Sequence, residues 1–145
     1  MYSRNSIKQN GIKYNLKRMK ILVAEDEPLM LMAIVAKLKN EGFEVVGSPD
    51  GREALKALET YNPDLIITDI LMPYTSGLEL IGILKSTQHK KIPIIVLSGL
   101  GQEDTVMEAF QLGADDFITK PFNPTELSVR VKRLLKIPAT GVKKK

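Results

Sequence analysis

Hydrophobic positions along the chain gather into five short runs: KILVA (20–24), FEVVG (43–47), DLIIT (64–68), IPIIVL (92–97) and DFIT (116–119). Most are nearly unbroken apolar stretches, the pattern of a strand covered on both faces, since one-sided cover would give a two-residue alternation. Between the runs the apolar residues spread out to a helical period. Strands alternating with helices predict an α/β domain built on a parallel five-stranded sheet with right-handed crossovers.

The helix starts are written in capping chemistry. Asp50-Gly-Arg-Glu53, Ser76-Gly-Leu-Glu79 and Asn123-Pro-Thr-Glu126 each set a capping side chain three residues before a Glu, and the last adds Pro at the first helical position. The first helix is expected to open at Pro28, with a core stripe of Leu31, Ile34, Val35 and Leu38; Met30 and Met32 fall outside it. The last helix should carry Leu127, Val131 and Leu134 inward and Arg130, Lys132 and Arg133 outward.

At 145 residues there is room for one core-bearing domain with tails. The expected division is a basic, flexible extension over 1–18, the domain over 19–137 and a basic tail over 138–145. Hydrophobic residues at 43% and charged residues at 26% fit a globular chain, and the lack of cysteine excludes disulfides and thiolate metal sites. The N-terminus has no apolar signal region, and the longest apolar run, Leu29 to Ala36, is far below the roughly 18 to 20 residues that span a bilayer. No membrane partner is expected, and the cytoplasm is the default address.

The net charge of +4 belongs to the ends. Residues 19–137 hold 13 basic against 17 acidic side chains, so the domain itself is acidic. Neither aromatic residues nor an amphipathic pattern accompany the terminal KKK, and the chain after Lys120 is too short for a helix-turn-helix domain. Direct nucleic-acid binding is not expected.

In an open parallel sheet, ligands sit beyond the carboxyl ends of the strands. After the first run come Glu25, Asp26 and Glu27, after the third Asp69, after the fourth Ser98 and Gly99, and after the fifth Lys120 and Pro121. Singly, each has a plain explanation: acids suit a helix N-terminus, serine suits a turn, lysine suits a surface. Asp69 at the exit of so greasy a strand does not. With a flavodoxin-like (βα)5 three-layer sandwich of sheet order 2-1-3-4-5, Asp69 lies close to Asp26, and two carboxylates that near call for a cation between them. Oxygen ligands without His or Cys select a hard ion, and few carboxylates plus phosphate oxygens suit Mg²⁺. Asp69 is then the nucleophile that forms an aspartyl-phosphate, Lys120 a positive charge for one phosphoryl oxygen, and Ser98 a hydroxyl donor for another.

The segments ILVAEDEP, DLIITDILMP, IIVLSG and DFITKPF, spread over about Met19 to Lys136, resemble the receiver domain of bacterial two-component response regulators. The resemblance implies that Glu25 and Asp26 form an acidic pocket, with Asp26 and Asp69 as direct Mg²⁺ ligands, Glu25 acting through water and Leu71 giving its backbone carbonyl. Asp69 would accept phosphate from the phospho-histidine of a sensor kinase or a histidine phosphotransfer protein. Ser98 and Phe117 match the family's switch pair, and the Lys120-Pro121 bond is cis in many members. The switched surface would be the fourth helix, fifth strand and fifth helix, read by a downstream protein, an output domain outside this chain or a second copy. The chain would catalyse only its own phosphorylation and dephosphorylation. Serine at 98 and phenylalanine at 117 stand where threonine and tyrosine are more frequent, and Leu71 cannot orient a water that attacks the phosphoryl group.

Two rival readings are weaker. A phosphatase of the haloacid dehalogenase type needs a second aspartate where Leu71 stands. A receiver fold that binds partners without phosphate should lack Asp26, Asp69 or Lys120, and all three are present. His89 is expected to be a surface residue.

Overall fold

The computed structural model describes residues 6–9, 12–15, 18–87, 89 and 91–137. A hairpin comes first, β1 (Ser6–Gln9) antiparallel to β2 (Ile12–Asn15), with Ser6 opposite Asn15 and Gln9 opposite Ile12. It lies inside the stretch expected to be a flexible extension. Its sequence signal is Asn10-Gly11 between two short alternating segments, a dipeptide that favours the two-residue turns of hairpins. The 138–145 tail lies outside the described residues.

The domain then alternates β3 (Lys20–Ala24), α1 (Pro28–Asn40), β4 (Glu44–Ser48), α2 (Gly51–Ala57), β5 (Leu65–Asp69), α3 (Gly77–Lys85), β6 (Ile94–Ser98), α4 (Glu103–Leu112), β7 (Asp116–Thr119) and α5 (Pro124–Leu134). All five strands from β3 onward are parallel, in the order β4-β3-β5-β6-β7, which is 2-1-3-4-5 counted within the sheet. This is the expected flavodoxin-like sandwich.

Side-chain alternation splits the core into two layers. Ile21, Val23, Leu65, Ile67, Ile95 and Leu97 face α1 and α5, against Ile34, Leu38, Leu127 and Val131. Leu22, Ile66, Ile94 and Val96 face the other way, against Ala54 and Leu58 of the α2 region, Leu80, Ile81 and Leu84 of α3, and Val106 and Ala109 of α4. Every residue of β5 and β6 is buried, which is why those segments read as continuous apolar runs. The edge strand β7 buries only Ile118.

The stripe foreseen on α1 divides in two. Ile34 and Leu38 are fully buried, whereas Leu31 and Val35 are half-buried and cover Gly47 of β4, whose missing side chain gives them room. Met32 is exposed, while Met30 packs against the core. Of the three helix caps, Asp50 accepts from the Glu53 N–H and Ser76 forms a complete capping box with Glu79. The third differs: Asn123 accepts from the Thr125 N–H, and the Glu126 carboxylate pairs with Arg130. On α5, Lys132 and Arg130 are engaged in ion pairs with Glu41 and Asp116, and Ser128 is buried, donating its hydroxyl to Glu41. A serine between apolar positions gives no sign of that partner, which is 87 residues away in the chain.

Candidate functional site

The carboxyl ends of β3, β5, β6 and β7 meet at one rim, and each delivers one of the expected groups. Asp69 is the last residue of β5, 7% exposed, with its backbone locked into the sheet. The next N–H, of Ile70, donates to the Leu97 carbonyl at 2.9 Å, and the Gly77 N–H returns to the Ile70 carbonyl at 3.0 Å. Gly77 presses on the peptide of Asp69: a Cβ there would lie 2.2 Å from the Asp69 carbonyl oxygen.

Glu25 is fully buried just past β3. Its Oε2 accepts the Glu27 N–H at 3.0 Å, and its own N–H donates to Ser48 at the end of β4. Asp26, exposed, completes the group: carboxylate oxygens of Glu25, Asp26 and Asp69 lie within 4.8 Å of one another. Lys120 reaches in from beyond β7, its Nζ 3.0 Å from Asp69 Oδ2 and 2.9 Å from Glu25 Oε1. The first contact is an aligned hydrogen bond. The second is an ion pair to a fully buried carboxylate. The Lys120-Pro121 bond is cis, as the resemblance implied.

Electrostatics follow from this crowding. Burial drives the Asp69 pKa up, the hydrogen bond from Lys120 pulls it down and the Glu25 charge raises it again, with a net result of about 7. For Lys120, burial works against the charge, but the two carboxylates outweigh it and raise the pKa, so the ammonium is retained. Three carboxylates against one ammonium leave a formal −2 when all are ionised. An all-oxygen donor set and a surplus of negative charge fit a hard divalent cation.

Ser98, the last residue of β6, is buried one residue beyond Leu97, the partner of Asp69 across the β5–β6 pairing. Its carbonyl accepts the Lys120 N–H at 2.7 Å. Phe117 is 38% exposed on β7 and stands edge-on to Phe110 of α4, with ring centroids 5.8 Å apart at 87°. Together with Ser98, Val106 and Met107 the two rings line a groove of about 200 Å³. Leu71, two residues past Asp69, has an exposed side chain. His89 lies with Thr87, Leu55 and Leu58 along a separate shallow groove.

Two residues of this region carry no signal strong enough to be read in sequence. Phe110 could be core or surface by its helical position alone, and only the β7–α4 packing makes it Phe117's partner. Gln102 accepts the Gly99 N–H at 2.5 Å, which fixes the turn after Ser98.

Among the described residues, no helix is long and apolar enough to cross a membrane. A family model described as the response regulator receiver domain matches residues 21–132. The chain is 39% identical over 119 residues to the alkaline phosphatase synthesis transcriptional regulatory protein PhoP of Bacillus subtilis, covering 81% of this chain and 48% of that protein. It is 42% identical over 119 residues to response regulator RR06 of Streptococcus pneumoniae, covering 81% and 54%. The chain thus spans about half the length of these relatives. Among solved structures it is similar to the receiver domain of the Francisella response regulator 1452, with a TM-score of 0.75, 38% identity and coverage of 82% of this chain and 98% of that one. An acid-lined rim on a 2-1-3-4-5 sheet and these likenesses agree: the chain belongs to the response regulator receiver domain family of two-component signalling.

Proposed function

We propose that the chain accepts a phosphoryl group on Asp69 from a sensor kinase's phospho-histidine, or that of a histidine phosphotransfer protein, and reports it through the face made by α4, β7 and α5. The observation that carries the reading is Lys120 Nζ lying within 3.0 Å of both Asp69 and Glu25 at the mouth of the acid group. Asp26, Asp69 and the Leu71 carbonyl would hold Mg²⁺, with Glu25 acting through water; the ion's contribution when bound is to neutralise phosphoryl oxygens and lower the repulsion between donor and acceptor.

The protein's own part is positioning and charge. An Asp69 carboxylate oxygen forms the new bond to phosphorus as the phosphorus–nitrogen bond breaks, and the imidazole leaves with the electron pair. The sheet holds Asp69 against the small displacements that would slow this step. Lys120 moves its contact from the carboxylate to a phosphoryl oxygen, and the Ser98 hydroxyl donates to another. As Ser98 is drawn toward the phosphoryl group, the turn to α4 follows, and Phe117 is free to rotate into the groove beside Phe110.

Incubation with a small-molecule phosphodonor and Mg²⁺ tests this by mass spectrometry. The expected result is a gain of one phosphoryl group that is lost on treatment with hydroxylamine and is absent in Asp69→Asn. An adduct that survives either the treatment or the substitution refutes the assignment.

A further inference from the structure

Asp69 is followed by a loop, Ile70 to Ser76, that contains the Leu71 carbonyl and whose conformation therefore bears on the metal site. Its ends are fixed by the Gly77-to-Ile70 hydrogen bond and by the capping box of α3. Its tip is strained. Tyr74 has φ of +70°, and the only other non-glycine residue among those described with a positive φ is Lys136, just past α5. A bulky side chain in this region persists only where its surroundings over-determine it.

Those surroundings come from α2. Gly51, its first residue, lies so close that a Cβ would sit 1.8 Å from the Thr75 carbonyl oxygen, leaving glycine as the one residue that fits. Next to it, the Arg52 guanidinium lies over the Tyr74 ring, 3.9 Å from its centroid. Tyr74 is otherwise 69% exposed and has no core to hold it. The base of α2 is tied in turn to the acid pocket, because β4 ends at Ser48, whose carbonyl accepts the Glu25 N–H.

We infer that Arg52 is a positioning residue for the acceptor loop: by stacking on Tyr74 it holds the strained tip, and with it the Leu71 carbonyl, in the geometry that the divalent cation requires. The inference rests on the proposed function for its cation. In this role Arg52 acts through Tyr74.

The test combines Mg²⁺ titration by calorimetry on the full chain with amide hydrogen exchange in EDTA. From the strength of exposed cation–π pairs, Arg52→Ala should weaken Mg²⁺ binding by about two- to five-fold. Exchange should quicken at Ser76 and Gly77, the hydrogen-bonded amides that close the loop, and stay unchanged in β5 and β6. Tyr74→Phe keeps the ring and should behave as the parent chain, and Arg52→Ala combined with Tyr74→Ala should be no weaker than Tyr74→Ala alone. Unaltered Mg²⁺ affinity in Arg52→Ala, or faster exchange spread over the whole sheet, overturns the inference and leaves the proposed function standing. A parent chain that takes up no Mg²⁺ overturns both.

Discussion

Replacing Asp69 with asparagine should make the metal-free protein more stable, by an amount that grows with pH. The carboxylate sits 7% exposed beside Glu25 and Asp26, and its folded pKa is about 7 against 3.8 for a free aspartate. At about 1.4 kcal/mol per pH unit, ionising it inside the fold costs at most about 4 kcal/mol; allowing for relaxation and water entry at this rim, about 2 kcal/mol is expected. The sign follows from which state loses its proton first. Between pH 4 and pH 7 the unfolded chain is ionised while the folded one still holds its proton, so the parent protein loses stability as pH rises through that window. Asparagine keeps the shape and can still accept from Lys120, but it cannot ionise. Urea unfolding in EDTA, followed by circular dichroism from pH 4 to pH 8, should give a gap that is near zero at the acid end and about 2 kcal/mol in favour of the variant at the other. Mg²⁺ should close that gap by stabilising the parent more than the variant. A variant less stable than the parent at pH 8, or a gap independent of pH, would refute the account of the pocket as charge held under strain.

Other substitutions probe the supports. Gly77→Ala places a Cβ 2.2 Å from the Asp69 carbonyl oxygen and 2.9 Å from Ile70 Cα, both backbone atoms, so a loss of about 2–3 kcal/mol is expected from thermal or urea unfolding. Glu41 behaves oppositely to Asp69: burial alone would raise its pKa, but the Ser128 hydroxyl, Lys132 and Lys37 outweigh it and bring it down to about 2. Its contribution is present above about pH 4.5 and lost as pH falls through about 2. Glu41→Gln should therefore cost about 1–2 kcal/mol at pH 7, after allowing for partial exposure, and progressively less toward pH 2. On the proposed function, the aspartyl-phosphate should last at least minutes at neutral pH, because Leu71 offers no polar group to an attacking water; decay within seconds after the donor is removed counts against it.

The layout was readable from the chain because β5 and β6 are covered on both faces, which leaves an unbroken apolar signature, and because caps such as Ser76 with Glu79 act within four residues. The rim could be assembled in advance since strand order sets the end of β3 beside that of β5 and a lysine side chain is long enough to reach them from beyond β7, and the structure groups Glu25, Asp26 and Asp69 there with Lys120 in contact with Glu25 and Asp69. What stayed hidden depends on contacts between distant segments. Ser128 looks like a weak helix residue until Glu41 supplies its partner, and Arg52 reads as a solvated charge until the loop carries Tyr74 beneath it. Asn10-Gly11 is a local signal of the legible kind, but two short polar strands lack the apolar run by which the others announce themselves.

The sheet is also graded in a way that bears on signalling. Strand β5 and its neighbour β6 have no exposed residue, whereas β7 buries Ile118 alone and α4 presents Met107 and Phe110 partly to solvent. A close-packed centre resists displacement, so a group added to Asp69 cannot be accommodated by shifting the strand that bears it. The compliant elements are the edge strand β7, two strands away, and α4. Ser98 and Lys120 are joined through the Lys120 N–H to the Ser98 carbonyl, so groups that would contact a phosphoryl oxygen sit at the ends of paired strands and would be drawn together. Phe117, three residues before Lys120, meets Phe110 across a groove with room for a ring to move. On the proposed function, rigidity at Asp69 and slack at the edge would together give a local change of charge one direction in which to travel, toward α4 and β7.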